Sequence, residues 1–298
     1  MYHEPVLLRE SVDMLRVEAG GTYVDLTFGG GGHSREILSR LGPRGRLVAF
    51  DQDGDAAANV PDNDTRLGFV RGNFRFMRGY LRALGIERVD GVLADLGVSS
   101  HHFDTAERGF SFRFDGALDM RMNRRGALTA EKVVNSYSAE ELTRIFRDYG
   151  ELGTPWKAAN CIERARTAAA ITTIRQFVEA VKPCTPARDE NRFLSRLFQA
   201  VRIEVNGEME ALKMALEQSL KVLRPGGRLA VISYHSLEDR LVKNFMRSGN
   251  FDGNVESDLY GVRRVPFGEL SKAVTPEAAE QERNSRSRSA KLRGATKL

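Results

Sequence analysis

The stretch that most restricts the fold is Tyr23–Ser34, YVDLTFGGGGHS, in which an apolar run leads directly into the glycines Gly29–Gly32. A strand that ends in glycines and opens a helix is the arrangement that many α/β proteins use to bind nucleotides. Glycine can adopt positive φ, and it lets a ligand approach the backbone without meeting a Cβ atom. The stretch therefore predicts a nucleotide-type site at the carboxyl end of a strand.

Other short apolar runs predict further strands, and the segments between the first of them predict helices. The predicted strands are Thr22–Leu26, Arg46–Phe50, Gly68–Arg71, Gly91–Asp95 and Arg228–Ser233. The predicted helices among them are Ser34–Leu41 and Phe76–Leu84. Strands that alternate with helices are typical of a parallel sheet with helices on its faces, so we expect an α/β protein.

Between Arg108 and Glu204 this alternation stops, and apolar residues recur at helical spacing. The helices predicted there are Ala139–Tyr149, Pro155–Thr167, Ile174–Val181 and Asn191–Val205, followed by Met209–Leu223 ahead of the turn at residues 225–227. Ser138 and Glu141 fit a capping box, although Ser136 competes for the cap. We expect a sheet domain in residues 1–106 and 208–298, interrupted by a helical domain in residues 107–207.

The composition is that of an ordinary soluble protein, with 41% hydrophobic and 29% charged residues. No apolar run approaches the about 20 residues that span a bilayer, and the N-terminus lacks the pattern of a secretory signal. Cys161 and Cys184 form neither a disulfide framework nor a CxxC metal motif. We therefore expect a cytoplasmic protein with no membrane segment and no metal site.

The charge is mildly basic, with a formal net charge of +5 and a pI of about 9.3. This favours polyanionic partners only weakly. From Arg283 to the end, the segment RNSRSRSAKLRGATKL contains arginines and lysines but no acid. Such a tail either remains solvated and mobile or contacts phosphates.

Three acids near predicted strand ends bear on the identity of the ligand. Asp51 follows the second strand and can accept hydrogen bonds from both hydroxyls of a ribose, which NAD and S-adenosylmethionine both carry. The dinucleotide fingerprint G-x-G-x-x-G fails, since its last position is Ser34 or Arg35. Asp25 and Asp95 add negative charge that favours a cationic ligand over a pyrophosphate. Alternatively, Asp25 only orders the glycine loop and Asp95 only caps the next turn.

Several segments resemble one known family. They are HEPVLL (His3–Leu8), VDLTFGGGGHS (Val24–Ser34), FDQD (Phe50–Asp53), LADLGVSS (Leu93–Ser100), ERGFSFRFDGALDMRM (Glu107–Met122), FQAVRIEVNGE (Phe198–Glu208), LRPGGRLAVISYHSLEDR (Leu223–Arg240) and RSRSAKLR (Arg286–Arg293). These segments run in order over nearly the whole chain. With them, the chain resembles the bacterial 16S ribosomal RNA cytosine-N4 methyltransferase family, also called MraW or RsmH. The resemblance implies a Rossmann-like class I S-adenosylmethionine-dependent methyltransferase sheet with an inserted helical domain. It also implies methylation of N4 of a cytidine in the decoding region of 16S rRNA, within the small ribosomal subunit.

The family's cofactor-binding positions can be transferred residue by residue. They fall on Gly31, Gly32, His33, Asp51, Phe74, Asp95 and His102. His102 departs from the family pattern, which usually has glutamine there, and neutral imidazole cannot donate and accept at one position as an amide can. The segment Thr185–Ser195 also differs from the commoner family version.

Asp95 is the candidate catalytic residue. Many amino-methyltransferases carry an Asn/Asp-Pro-Pro-Tyr/Phe motif after the fourth strand, but this chain has Asp95-Leu96-Gly97-Val98 there. Asp95 can accept a hydrogen bond from the target amine or contact the cofactor. Ser233 and His235 are secondary candidates, and a structural role is favoured for His235. Phe74 either packs near the adenine or belongs to the core.

The segment Glu107–Met122 is the candidate RNA contact, because arginines and phenylalanines alternate in it. Aromatic rings stack on unpaired bases and arginines hold phosphates, although the core of a β-hairpin would show the same alternation. The candidate RNA-binding residues are Arg108, Phe110, Arg113 and Arg121, with Arg202 and Arg240 as further phosphate contacts.

Other functions remain open at this point. A small-molecule methyltransferase would share the sheet, and a non-catalytic RNA-binding protein could keep an inactive cofactor fold. A dehydrogenase is disfavoured because the glycine fingerprint fails. The sequence does not decide between a monomer and a homodimer, nor whether a metal assists.

Overall fold

The computed structural model describes residues 5–258, 260–261 and 263–298, without the side chains of Ser100 and His101. His3 and Glu4 of the predicted motif His3–Leu8 therefore lie outside the described residues. The strands are β1 (Thr22–Asp25), β2 (Arg46–Asp51), β3 (Leu67–Arg71), β4 (Val89–Asp95), β5 (Leu223–Ser233), β6 (Glu256–Ser257), β7 (Arg263–Arg264), β8 (Phe267–Gly268) and β9 (Lys291–Lys297).

The helices precede, separate and follow these strands. They are α1 (Leu8–Leu15), α2 (Gly32–Arg40), α3 (Met77–Ala83), α4 (Ser100–Asp104), α5 (Ala130–Ser136), α6 (Ala139–Asp148), α7 (Pro155–Ala168), α8 (Ile174–Val181), α9 (Glu190–Asn206), α10 (Glu208–Val222), α11 (Ser236–Ser248) and α12 (Ala278–Arg283). Helices α5 to α9 follow one another without a strand between them, as the helical spacing predicted.

A seven-stranded sheet with the order β3-β2-β1-β4-β5-β9-β8 forms the centre of the α/β part, and β6 and β7 form a separate ribbon. Strands β1 to β5 pair in parallel, whereas β9 is antiparallel to β5 and β8 is antiparallel to β9. The predicted α/β class, with a Rossmann-like sheet, is confirmed. The turn expected at residues 225–227 lies inside β5, where the register with β4 shifts between Val89 and Gly91.

The expectation of a solvated, mobile basic tail was wrong for the last residues of the chain. Lys291–Lys297 forms β9 between β5 and β8, whereas phosphate contact by the basic side chains stays a prediction. Leu292 and Ala295 are buried in the sheet's core, while Arg293 pairs with Asp239 of α11 at 2.6 Å. The basic side chains thus flank a strand whose apolar residues point inward.

The sheet is buried on both faces. Because alternate residues of a strand point to opposite faces, each strand contributes side chains to two cores. One face contributes Val24, Val48, Val92 and Val231 to a core with residues of α3, α10 and α11. The other face contributes Tyr23, Leu47, Leu93, Ile232 and Leu292 to a core with residues of α1 and α2. Strands that are apolar on both sides leave their polar residues at their ends, where the candidate site lies.

The chain forms two compact units, one of residues Met1–Gly97 and Met209–Leu298 and one of residues Val98–Glu208. The second unit has its own core, which includes Val133, Phe146, Ile162, Phe177 and Val201. The domain boundaries predicted from the sequence, between residues 106 and 107 and between residues 207 and 208, stay a prediction. Among the helices in the described part of the chain, none combines the length and the apolar character needed to cross a bilayer.

Candidate functional site

The carboxyl ends of β1, β2 and β4 place Asp25, Asp51 and Asp95 along one edge of the sheet. Asp25 is in register with Ala49 of β2 and with Leu93 of β4. Ligands of open parallel sheets bind at this edge, beyond the strands' carboxyl ends. The structure therefore brings together the acids that the sequence placed at strand ends.

The glycine loop joins β1 to α2 and lies against Asp51. Gly31 has a φ of 74° and precedes the first residue of α2. A Cβ atom on Gly32 would overlap Pro5, so this position is glycine because the N-terminal segment packs on it. A Cβ on Gly29 would meet nothing within 4 Å, which leaves open space beside the Asp51 carboxylate. The loop thus leaves room for a ligand at Gly29.

Asp51 is held by backbone N–H groups on both carboxylate oxygens. The N–H of Gly29 donates to Oδ2 at 2.7 Å and the N–H of Asp53 donates to Oδ1 at 2.8 Å. Burial raises the pKa of Asp51 to about 6; these two hydrogen bonds oppose that rise, and the charge of Asp25 adds to it. Each oxygen keeps a second lone pair, so the side chain can still accept hydrogen bonds from two hydroxyls.

Asp95 is bound by groups from three other elements. The hydroxyl of Tyr234, just after β5, donates to Oδ1 at 2.7 Å, and Nδ1 of His33 lies 3.8 Å from Oδ2. Its backbone N–H donates to Oγ1 of Thr27 at 2.7 Å. Burial raises the pKa of Asp95 to about 6, while His33 and the Tyr234 hydrogen bond lower it. A pKa of about 6 leaves the Asp95 carboxylate mostly ionised at neutral pH, so it can act as a hydrogen-bond acceptor.

Tyr234 is a functional candidate that the sequence analysis passed over between Ser233 and His235. Burial and the charge of Asp95 raise its pKa well above the ordinary value, so the hydroxyl stays protonated and acts as a donor. Its position directly after a strand that ends at the same edge was the available signal. Ser233 is buried at the end of β5, paired with Lys291 of β9. His235 caps α11 by accepting the N–H of Glu238, which supports the structural role for His235.

Asp25 has the role that the sequence left as the alternative, because it orders the glycine loop. Its side chain is 1% exposed and accepts hydrogen bonds from the N–H of Thr27 at 3.0 Å and from Oγ of Ser34 at 2.6 Å. The interpretation that Asp25 faces a cation directly is therefore wrong. Its charge still acts at short range on Asp51 and Asp95.

The other predicted cofactor residues differ in their surroundings. His33 is buried, with Nε2 3.2 Å from the carbonyl oxygen of Val6. Phe74 is partly buried and packs against the core of the sheet unit, and its contact with an adenine stays a prediction. His102 belongs to the second unit, where its Nδ1 lies 2.9 Å from Oγ of Ser99. Its participation in cofactor binding stays a prediction.

Most of the predicted RNA-binding residues are occupied within the helical unit. Arg108 is 2% exposed and donates to the carbonyl oxygens of Arg121 and Met122. Phe110 is buried as well, Arg121 pairs with Asp119 at 2.7 Å, and Arg202 pairs with Glu208 at 2.9 Å. The expectations for Arg108 and Phe110 were therefore wrong, because buried side chains cannot reach a phosphate or stack on a base. Phosphate contacts by Arg121 and Arg202, which are paired but partly exposed, stay predictions. Arg113 and Arg240 are exposed.

The donor set at the edge of the sheet fits S-adenosylmethionine better than a pyrophosphate. Asp51 offers acceptors for ribose hydroxyls, the open face of Gly29 permits close approach, and the three carboxylates create negative potential. A phosphate placed here would be repelled, whereas a sulfonium or ammonium group would be stabilised.

Comparisons with known proteins agree over the whole length of the chain. Residues 1–298 match the model of the MraW methylase family. Proteins called ribosomal RNA small subunit methyltransferase H are similar to it: that of Bacteroides thetaiotaomicron is 58% identical and covers 99% of this chain and 97% of its own. The corresponding protein of Parabacteroides distasonis is 57% identical over 100% of this chain and 98% of its own. A solved putative rRNA methylase from Clostridium thermocellum covers 100% of both chains at 14% identity, with a TM-score of 0.45, which is too distant for residue-level comparison.

Proposed function

Because this chain belongs to the MraW methylase family, we propose that it methylates N4 of a cytidine in the decoding region of 16S ribosomal RNA. The observation that carries this proposal is the full-length match to the family together with relatives, 57–58% identical, that are named for methylation of small-subunit rRNA. The protein would act in the cytoplasm on the small ribosomal subunit. Arg113 and Arg240, the exposed candidates, would contact RNA phosphates.

In this proposal, Asp51 and the glycine loop hold the methyl donor. S-adenosylmethionine supplies an electrophilic methyl group on a sulfonium centre and leaves as S-adenosylhomocysteine. Asp51 accepts hydrogen bonds from the ribose hydroxyls, and the backbone of Gly29, Gly31 and Gly32 borders the ligand. His33, Phe74 and His102 would complete the cofactor site, as the family resemblance implies.

Asp95 orients the target amine and takes its proton. The lone pair on N4 of cytosine is delocalised into the ring, so the amine must be held in line with the methyl group. A carboxylate that accepts one N–H fixes this orientation and accepts the proton as the N–C bond forms. His33 and the hydrogen bond from Tyr234 lower the pKa of Asp95 against the effect of burial, and so favour the carboxylate that this role requires. The target base must be unpaired or turned out of its stack to reach the site.

The test is methylation of isolated small ribosomal subunits from a strain that lacks this activity. With labelled S-adenosylmethionine, we expect one methyl group per subunit, and mass mapping should place it on N4 of a decoding-region cytidine. Asp95→Asn should lower kcat by at least a hundredfold, whereas the exposed control Asp62→Asn should not change it. Label on another atom or another RNA would overturn the N4 assignment. Transfer only to small amines, or no saturable donor binding by calorimetry, would overturn the proposed function.

A further inference from the structure

A groove on the helical unit is lined by none of the candidate site residues named above. It has a volume of about 480 Å³ and is formed by α7 and the segment that follows α8. Its lining consists of Thr154, Trp156, Lys157, Asn160, Cys161, Arg164, Pro183, Cys184, Thr185 and Pro186. Ligand pockets of small molecules and nucleotides have volumes in this range. All of these residues belong to the second compact unit.

Trp156 is the groove's most unusual residue because its large ring is 53% exposed. It is the chain's single tryptophan. The ammonium group of Lys157 lies 5.6 Å from the centre of the ring. An exposed aromatic ring beside a cation is the arrangement on which proteins stack unpaired bases while holding the adjacent phosphate.

The groove is also positively charged. Its described lining contains Lys157 and Arg164 but no aspartate or glutamate. Arg164 donates to the carbonyl oxygen of Asn160 at 3.3 Å and contacts the sulfur of Cys161 at 3.7 Å. Within the part of the chain that the structure describes, neither cation forms an ion pair with a carboxylate. Both charges are therefore available to a phosphate, unlike those of Arg121 and Arg202.

Three neutral polar side chains line the groove as well, beside two prolines and two cysteines. Thr154, Asn160 and Thr185 offer donors and acceptors that suit the edge of a base. An acidic protein segment would use the two cations, but its carboxylates would make no use of the exposed ring. The combination of ring, cations and amide favours a single-stranded nucleic acid.

We propose that this groove binds an unpaired nucleotide of the RNA substrate, with its base on Trp156 and its phosphates at Lys157 and Arg164. The proposal rests on the proposed function in that it takes RNA as the substrate. It assigns the helical unit a docking site of its own, which holds RNA without contributing to methyl transfer. Substitutions in the groove should therefore change KM and not kcat.

The single tryptophan makes the test specific, because tryptophan fluorescence reports on this groove alone. The probe is a single-stranded RNA of ten cytidines. Binding should quench the emission of Trp156 saturably and protect it from iodide. Lys157→Glu/Arg164→Glu should weaken binding at least tenfold and reduce the salt slope by about 1.4, since each phosphate contact on a single strand contributes about 0.7.

The matched control carries the same charge change elsewhere on the unit. Arg147→Glu/Arg175→Glu alters exposed arginines that do not line the groove, and it should leave quenching and affinity within twofold. Unchanged emission at saturating RNA would overturn the proposal, as would equal weakening by the control. Polyglutamate that quenched Trp156 as strongly as RNA would also overturn it, in favour of an acidic protein partner.

Activity separates this proposal from the proposed function. On small ribosomal subunits, Trp156→Ala should raise KM about tenfold with kcat within twofold, and Trp156→Phe should restore most of the affinity because it retains a stacking surface. Unaltered KM in Trp156→Ala, with methylation intact, would refute the groove and leave the function standing. Quenching by RNA without any methyl transfer would support the groove and refute the function.

Discussion

At the scale of single residues, Asp51 combines burial with an ionised side chain. Its pKa of about 6 shows that burial disfavours the charge, although two backbone N–H groups stabilise it. Such a group gains most when a cation or a pair of hydroxyls reaches it. Asp51 is therefore the position at which donor binding should respond most strongly to substitution.

We expect Asp51→Asn to weaken binding of S-adenosylmethionine about tenfold to a hundredfold, since hydrogen bonds to a charged acceptor contribute roughly 1.5–3 kcal/mol. Isothermal titration calorimetry measures this directly. Asp62→Asn, on an exposed residue, is the control and should bind as the unaltered protein does.

The wild-type affinity should also rise between pH 5 and pH 7.5 as Asp51 and Asp95 ionise. An affinity independent of pH over that range would contradict the assigned electrostatics.

Tyr234→Phe tests the hydrogen bond that holds Asp95. Removing the hydroxyl removes an interaction that lowers the pKa of Asp95, so that pKa should rise further above its usual range. The acidic limb of the kcat profile should then move to higher pH, while binding of the methyl donor changes little. Tyr260→Phe, on a residue 92% exposed, should leave the profile in place. A rate that falls equally at every pH would mean that Tyr234 serves packing alone.

The sequence identified Asp51 and Asp95 because strand ends and glycine loops are local patterns. It could not identify the partner of Asp95, since Tyr234 is 139 residues away along the chain and meets it only through the pairing of β4 with β5. The burial of Arg108 could not be predicted from the sequence either, because alternating arginines and phenylalanines are compatible with both a surface and a core. Its guanidinium donates to backbone carbonyl oxygens, and a sequence pattern does not predict such contacts.

At the scale of secondary structure, capping signals predicted helix limits well. Helix α8 occupies the predicted residues, and α6 begins at the predicted capping box, in which Ser138 accepts the N–H of Glu141 and Glu141 accepts the N–H of Ser138. The competing Ser136 instead donates to the carbonyl oxygen of Lys132 in the last turn of α5. The two serines therefore make a natural pair for testing the cap.

Ser138→Ala should lower the free energy of unfolding by about 1 kcal/mol, the usual loss when an N-cap is removed. Ser136→Ala should change it by less than about 0.5 kcal/mol, because a serine bonded to its own helix contributes little. Urea denaturation followed by circular dichroism distinguishes the two. Equal losses at both positions would assign the stabilisation to something other than the cap.

Strand β9 was not predicted from the sequence, because its basic residues indicated a tail and its few apolar residues did not indicate a strand. The segment KLRGATK lacks the β-branched and aromatic residues that usually mark a strand, apart from one threonine. Its stability comes from pairing along β5 and from the ion pair between Arg293 and Asp239. Both interactions depend on the tertiary structure and cannot be predicted from the segment alone.

At the scale of the whole molecule, β9 belongs to the core of the sheet unit. Leu292 is fully buried, whereas Leu298 is 65% exposed. Leu292→Ala should lower the free energy of unfolding by about 2–5 kcal/mol, as cavities in well-packed cores do. Leu298→Ala should change it by less than about 0.5 kcal/mol. Similar small losses at both positions, measured by denaturant titration, would mean that β9 is dispensable.

The sheet unit is split in sequence: β4 and β5 pair from Gly91–Arg228 to Asp95–Ile232, yet all of residues 98–208 lie between them. During synthesis β4 therefore leaves the ribosome long before its neighbour exists and presents an unsatisfied apolar edge in the meantime. Early collapse of the intervening helices would shorten the chain that must close before the two strands meet. Substitutions that slow the folding of the helical unit should therefore lower the yield of native protein in the cell. This should hold even for substitutions that leave the stability of the folded protein unchanged.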